Sequence, residues 1–350
     1  MGQSVMSVIT IVGAGMMGSA MCFPAADNGH EVRLVGIHNR NSIQEVLKSG
    51  YHPMLKCQLP KGVKAYHIEG LQEALQGADL VISGVSSFGV TWFEQNVLPL
   101  LPDGATVLSV TKGLEATPDG GLQTFPHGMM QRAGGRVDIN AVGGPVISFE
   151  LAARQQTEIA FCGQNPKTLQ WLKSLLETDY YHISLTHDVN GLECAVAMKN
   201  AYALGVALAI GLNEKKQGEG CPERYNPQAA LFEQATREAM KLMQFMHASM
   251  ETLPFFAGDL YVTVFGGRTR RIGVLLGRGK TYAEAKEILS GVTLESVAVA
   301  TLVAQALRTL EKRGIMQTAD FPLLMHIDAI LNRGKNAAEI PWLQFEQPLQ

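Results

Sequence analysis

The stretch that most constrains the fold is residues 7–36, SVITIVGAGMMGSAMCFPAADNGHEVRLVG. An apolar, β-branched run ends in Gly13-Ala14-Gly15-Met16-Met17-Gly18, a helix-compatible segment follows, and His30-Glu31 leads into a second such run. In a strand–turn–helix–strand context each glycine has its own task. Gly13 permits the tight turn, Gly15 lets backbone approach a bound pyrophosphate, and Gly18 lets the helix pack closely on the strand. The helix opening at Met16 and Met17 offers N–H donors and a favourable dipole to an anion. This spacing points to a dinucleotide-binding unit. The N-terminal run reads as its first strand rather than a signal peptide, because MGQSVMSVITIVGAG has neither a basic flank nor a cleavage site. Met6 stands where myristoylation of Gly2 would need Ser or Thr.

More strands follow. ADLVISGV (78–85) and ATVLSVT (105–111) read as buried parallel strands separated by a helical segment around 89–101, and 138–144, 157–163 and 180–185 read as further strands. The sum is an α/β, Rossmann-type doubly wound sheet, whose ligands are expected at the carboxyl ends of its strands. SGVSS (83–87) and TKG (111–113) fall at such ends. NAD enzymes of this build usually carry an acid after the second strand, whereas LVGIHNRNS offers His38 and Arg40. Arg40 can pair with the 2′-phosphate of NADP, or it can be a solvated loop residue. The cofactor is therefore expected to be NAD or NADP.

At 350 residues the chain exceeds what one core usually supports, and its pattern changes near HDVNG (187–191). Segments 190–212, 226–250, 281–289 and 293–313 have helical spacing, and the polar stretch 213–227 reads as an exposed loop. The expected division is a dinucleotide-binding domain over 1–189 and an all-helical substrate and catalytic domain over 190–350. Within that second half, AVAMKNAYALGVALAIGL (195–212) places Lys199 and Asn200 among apolar neighbours. An ammonium there is costly unless a partner compensates it. The segment is long enough to span a membrane, but a central lysine costs roughly 2.5–3.5 kcal/mol on insertion scales, so it reads as a buried helix of a soluble protein. AGDLYVT (257–263) sets Asp259 in apolar surroundings, and GGRTRR (266–271) opens a glycine turn into three arginines suited to a phosphate. Each also has a structural alternative: a snorkelling lysine, a capping aspartate, a solvated basic turn.

A net charge of −3 removes any global attraction to nucleic acid or anionic membrane, while leaving room for a local site for a small anion. Five scattered cysteines without a CxxC pair argue against a metal site or a disulfide framework and suit a reducing cytosol.

Taken in order, GAGMMG, SVTKGLE, GGPVISFELA, AVAMKNAYALGVALAIGL, AGDL and GGRTR resemble the NAD(P)-dependent sn-glycerol-3-phosphate dehydrogenases over essentially the whole chain. The resemblance implies that Lys199 is the general acid/base, assisted by Asp259. It implies that Lys112, Asn200, Thr263, Arg268 and Thr269 line the substrate site, with Arg268 on the phosphate. Lys112 and Arg268 would also border the dinucleotide beside Gly13, Gly15, Met16, Met17, Gly18, His38 and Arg40. A cytosolic homodimer acting on a small phosphorylated substrate is the implied assembly. The chain departs from the family pattern at several places: Thr269 where Asn is usual, Phe149 before Glu150 after GGP, residues 233–235 (EQA) in place of TRG, Ser290-Gly291 for Glu-Gly, and a longer 213–227 loop. These departures leave a related phosphorylated polyol, or a 2-keto or 3-hydroxy acid, as alternative substrates. A non-catalytic nucleotide sensor fits less well, since every acid/base residue is present.

Overall fold

The computed structural model describes residues 6–37 and 40–346, with Arg40 and Asn41 as backbone only. The chain forms two compact units, residues 1–112 with 124–189, and residues 113–123 with 190–350.

The first unit is built on eight strands: β1 (Val8–Val12), β2 (Glu31–Gly36), β3 (Lys64–His67), β4 (Leu80–Ser83), β5 (Thr106–Ser109), β6 (Asp138–Gly143), β7 (Thr157–Cys162) and β8 (Tyr181–Thr186). Their order across the sheet is β8-β7-β6-β5-β4-β1-β2-β3. Alternate side chains serve opposite faces, as a period of two requires. Ile9, Ile11, Leu34, Leu80, Ile82 and Leu108 share one core cluster, and Val12, Val35, Val81 and Val107 share the other. The helices are α1 (Met16–Ala20), α2 (Cys22–Asp27), α3 (Arg40–Ser49), α4 (Leu71–Leu75), α5 (Val90–Asn96), α6 (Phe125–Arg132), α7 (Ser148–Ala152) and α8 (Pro166–Leu176). The break between α1 and α2 has a local cause: Pro24 lacks an N–H and its ring would meet the carbonyl of Ala20.

The sheet is doubly wound, with one reversal: β7 runs antiparallel to β6, while β8 is parallel to β7. The edge strand β3, and a small hairpin of Tyr51–His52 paired with Cys57–Gln58, are additions to the strands expected from sequence.

The second unit is helical: α9 (Val189–Gln217), α10 (Tyr225–Phe245), α11 (Leu253–Val264), α12 (Gly267–Gly277), α13 (Tyr282–Ile288), α14 (Glu295–Lys312) and α15 (Pro322–Arg333). α9 is apolar enough by composition to cross a membrane, but 83% of its most apolar window is buried inside this fold, so it is a core helix. Its small residues let α12 approach almost backbone to backbone. A Cβ on Gly273 would sit 2.5 Å from the Leu204 carbonyl oxygen, and one on Gly277 would sit 2.4 Å from that of Leu208. The helix bearing Lys199 and the helix opening with Arg268 are thereby locked together. Segment 213–227 is less of a loop than its polarity suggests, since α9 continues to Gln217. The short hairpin Leu114–Ala116 with Leu122–Thr124 largely falls within this unit: Leu114 is buried in the helical core, and Asp119 pairs with Arg313 at 2.8 Å.

Candidate active site

In the first unit, the carboxyl ends of β1 and β4 form a glycine cradle. Gly13 has a φ of 120°, and a Cβ there would lie 2.6 Å from the backbone carbon and oxygen of Gly84. Gly18 is as tightly placed, since its Cβ would fall 2.2 Å from the Gly13 oxygen. Gly15 is open: a Cβ would meet only the Gly84 oxygen, at 3.8 Å. The sequence motif thus has the division of labour a dinucleotide needs, with two glycines for packing and one for access. A cleft of about 290 Å³ lies here, walled by Gly13, Ala14, Gly15, Ile37, Gly84, Ser86 and Phe88 among others. The residues fit the backbone-lined slot that NAD or NADP requires.

Met16 is 39% exposed at the start of α1, while Met17 packs against the core. Lys112 extends past the end of β5, where its Nζ donates to the Gly144 carbonyl at 2.9 Å. His38 lies outside the described residues, and Arg40 enters only as the backbone start of α3.

Gly13→Ala combines a disfavoured φ with an overlap against backbone. It is expected to weaken NADH and NADPH binding by roughly ten-fold or more, read by fluorescence titration of the dinucleotide. Unchanged affinity would show that the cradle can relax around a methyl group.

In the second unit, Lys199 meets its partner. Its Nζ lies 2.9 Å from Oδ1 of Asp259 and donates to Oγ1 of Thr263 at 2.9 Å. Asp259 and Thr263 are one turn apart on α11 and so share a face. The Thr263 hydroxyl in turn donates to the Asp259 carbonyl at 2.6 Å, which fixes its rotamer. The Asp259 side chain is fully buried and that of Lys199 is 13% exposed, so the pair is shielded on the protein side and reached through the amine. Asn200 follows Lys199 on α9 and is half-buried.

The arginines of GGRTRR are not equivalent. The segment is not a solvated turn but the first turn of α12, entered through Gly266 and through Gly267 at a φ of 82°. Arg270 is half-buried, donating from Nη2 to Glu223 at 2.6 Å and from Nη1 to the Val264 carbonyl at 2.8 Å. Arg268 and Arg271 are exposed, and Arg268 makes no hydrogen bond or ion pair among the described residues. Thr269 is 9% exposed and faces the helical core. The structure therefore brings Lys199, Asp259 and Thr263 together and separates a free Arg268 from a clamped Arg270.

Sequence reasoning missed several residues around these groups. Gly84 is a fourth member of the cradle, and only its place at a strand end signalled it. Glu223 lies in the polar stretch expected to be an exposed loop, and it holds Arg270. Behind Lys199, Glu238 is fully buried and accepts hydrogen bonds from Tyr202, Gln234 and the N–H groups of Leu323 and Leu324.

A dinucleotide cradle in one unit and a buried lysine–aspartate pair in a helical unit define the class: an NAD(P)-dependent oxidoreductase acting on a CH–OH group. The family profile for the NAD-dependent glycerol-3-phosphate dehydrogenase N-terminus matches residues 8–169, and that for its C-terminus matches 188–341. The chain belongs to the NAD-dependent glycerol-3-phosphate dehydrogenase family. It is 32% identical to the NADP(+)-dependent glycerol-3-phosphate dehydrogenase of Archaeoglobus fulgidus, covering 95% of this chain and 97% of that one. A glycerol-3-phosphate dehydrogenase [NAD(P)+] of Symbiobacterium thermophilum is 31% identical over 83% of this chain and 82% of its own length. In fold, the chain matches the crystal structure of glycerol-3-phosphate dehydrogenase from Coxiella burnetii with a TM-score of 0.82 at 23% identity, covering 98% and 99% of the two chains.

Proposed function

We propose that this protein interconverts dihydroxyacetone phosphate and sn-glycerol 3-phosphate with NADH or NADPH, and that Lys199 is its general acid/base. The observation that carries the reading is the Lys199 amine held 2.9 Å from both Asp259 and Thr263 in an otherwise apolar helix core. The dinucleotide supplies the hydride in reduction and accepts it in oxidation. In reduction the Lys199 ammonium polarises the ketone oxygen and gives it a proton as the alcohol forms. In oxidation the amine takes that proton back. Asp259 orients the amine and compensates its charge, and Thr263 fixes its direction. Arg268, uncommitted to any acid, takes the phosphate dianion, for which a planar guanidinium is well matched. Asn200 adds to the polar lining in this reading, whereas Thr269 faces the helical core and Lys112 is held on the Gly144 carbonyl. Five cysteines scattered without a CxxC pair support a cytosolic setting, and the family resemblance supports a homodimer.

The test is oxidation of NADH and of NADPH by purified protein with dihydroxyacetone phosphate, beside a panel of phosphorylated polyols and 2-keto acids. Folded protein that turns over a keto acid but not dihydroxyacetone phosphate would overturn the assignment. Inhibition by inorganic phosphate competitive with substrate is expected.

A finer expectation concerns Glu223. With Glu223→Gln, Arg270 loses its carboxylate and the turn presenting Arg268 loses a tether. The pair is partly solvated, so the effect is modest: a KM for dihydroxyacetone phosphate raised roughly three- to five-fold with kcat nearly unchanged. Steady-state kinetics reads this directly, and a fall in kcat at constant KM would refute the positioning role.

A further inference from the structure

We propose that His52 is a positioning residue for the dinucleotide site, holding the Ala14–Gly15 peptide of the glycine loop in one orientation. The proposal rests on the cleft beside Gly13 being the NAD(P) site and assigns a task to a residue outside the glycine motif.

His52 lies in the small hairpin Tyr51–Gln58 and is fully buried. Its Nδ1 accepts the Leu55 N–H at 3.1 Å, and its Nε2 lies 3.2 Å from the Ala14 carbonyl oxygen. These two contacts determine the tautomer. A backbone N–H can only donate, so Nδ1 carries the lone pair. A carbonyl can only accept, so Nε2 carries the proton. The neutral ring is satisfied at both nitrogens, and burial pulls its pKa below the ordinary histidine range, which favours that form.

The consequence for the loop follows from peptide geometry. The Ala14–Gly15 unit is planar and trans, so pinning the Ala14 oxygen also fixes the direction of the Gly15 N–H. Both residues are in the wall of the cleft, as is Met54 from the same hairpin. Without the His52 contact, the glycine-flanked Ala14 peptide would have little to prevent its rotation, since glycine permits backbone angles other residues resist. The hairpin is a firm base for this contact. Lys56 N–H closes its turn onto the His52 carbonyl at 2.8 Å, and Leu55 and Leu59 are anchored in the core.

Two substitutions separate the donor from the bulk of the ring. Asn at 52 places a carbonyl near the Nδ1 position, keeping the Leu55 bond and losing the donor to Ala14. Gln places an amide nitrogen near the Nε2 position and keeps that donor. NADH and NADPH dissociation constants, measured by fluorescence on the full chain, are expected to rise roughly ten-fold in His52→Asn. They should stay within about three-fold of wild type in His52→Gln. At saturating dinucleotide, the KM for dihydroxyacetone phosphate is expected to be unchanged in both variants. Wild-type affinity in His52→Asn, or equal weakening in the two variants, would overturn the proposal. Wild-type protein that binds neither dinucleotide would overturn the cofactor reading and the His52 inference with it.

Discussion

Lys199→Met is expected to lower kcat by about 10²–10⁴-fold while leaving NADH and NADPH affinity unchanged. That is the usual size of a general acid–base contribution. Methionine keeps the length and apolar stem of the side chain, so the packing of α9 against α11 is largely retained and the proton donor is lost. The substitution has a second consequence, because Asp259 is fully buried and its ammonium partner is removed. Breaking a buried pair by deleting one member costs about 3–5 kcal/mol, so thermal unfolding must accompany the kinetics. Lys199→Met combined with Asp259→Asn removes both charges and is expected to regain most of that stability while remaining inactive. Such a double variant separates a chemical role from a structural one. If kcat returns with stability, or if kcat and dinucleotide affinity fall together in the single variant, Lys199 is a packing residue and the acid/base assignment fails.

The physical reasons for what could be read from sequence differ from residue to residue. The cradle was legible because its constraint is local: Gly13, Gly15 and Gly18 sit within one turn, and each spacing has a steric meaning that the structure reproduces with overlaps of under 3 Å at Gly13 and Gly18. Lys199 was legible as an anomaly, but its partner was not. Nothing in local spacing tells Lys199 that Asp259 will be 2.9 Å away, because that depends on α9 and α11 packing side by side. Family resemblance carried that link. The start of α12 was obscured by its own composition. Gly266 and Gly267 suggest a turn and the arginines suggest solvent, although Thr269, Ile272, Gly273 and Leu276 follow helical spacing and are all buried. The reversal of β7 left no mark, since a buried strand reads the same in either direction. His52 had no signal at all: its hairpin strands are two residues long, and its function depends on a carbonyl 38 residues earlier.

Glu238→Ala is the second large expectation, a loss of about 3–5 kcal/mol in stability near pH 6. Pro322 occupies the first position of α15 and has no N–H, so the first donors of that helix are Leu323 and Leu324. Both are fully buried beyond the reach of water, and Glu238 of α10 accepts from them at 2.7 and 2.9 Å. The same carboxyl accepts from Gln234 at 2.8 Å and from Tyr202 at 3.0 Å. Alanine would strand both backbone donors and the Tyr202 hydroxyl three residues beyond Lys199. The loss should depend on pH. Burial pushes the Glu238 pKa from its ordinary 4.5 up to about 7, against the opposing pull of its four donors. The folded protein therefore holds this proton more tightly than the unfolded chain. The stabilisation this gives is complete below about 4.5, declines as pH rises through about 7, and amounts to about 3 kcal/mol over that span. A protonated Glu238 can donate to Tyr202, whose hydroxyl can rotate to accept, while the two backbone donors keep their acceptors. The cost of Glu238→Ala should accordingly shrink by roughly 1–2 kcal/mol between pH 6 and pH 8. Urea unfolding of both proteins at the two pH values measures this. A cost that stays constant, or grows with pH, would mean that Glu238 is held as a carboxylate throughout and that its four donors outweigh its burial.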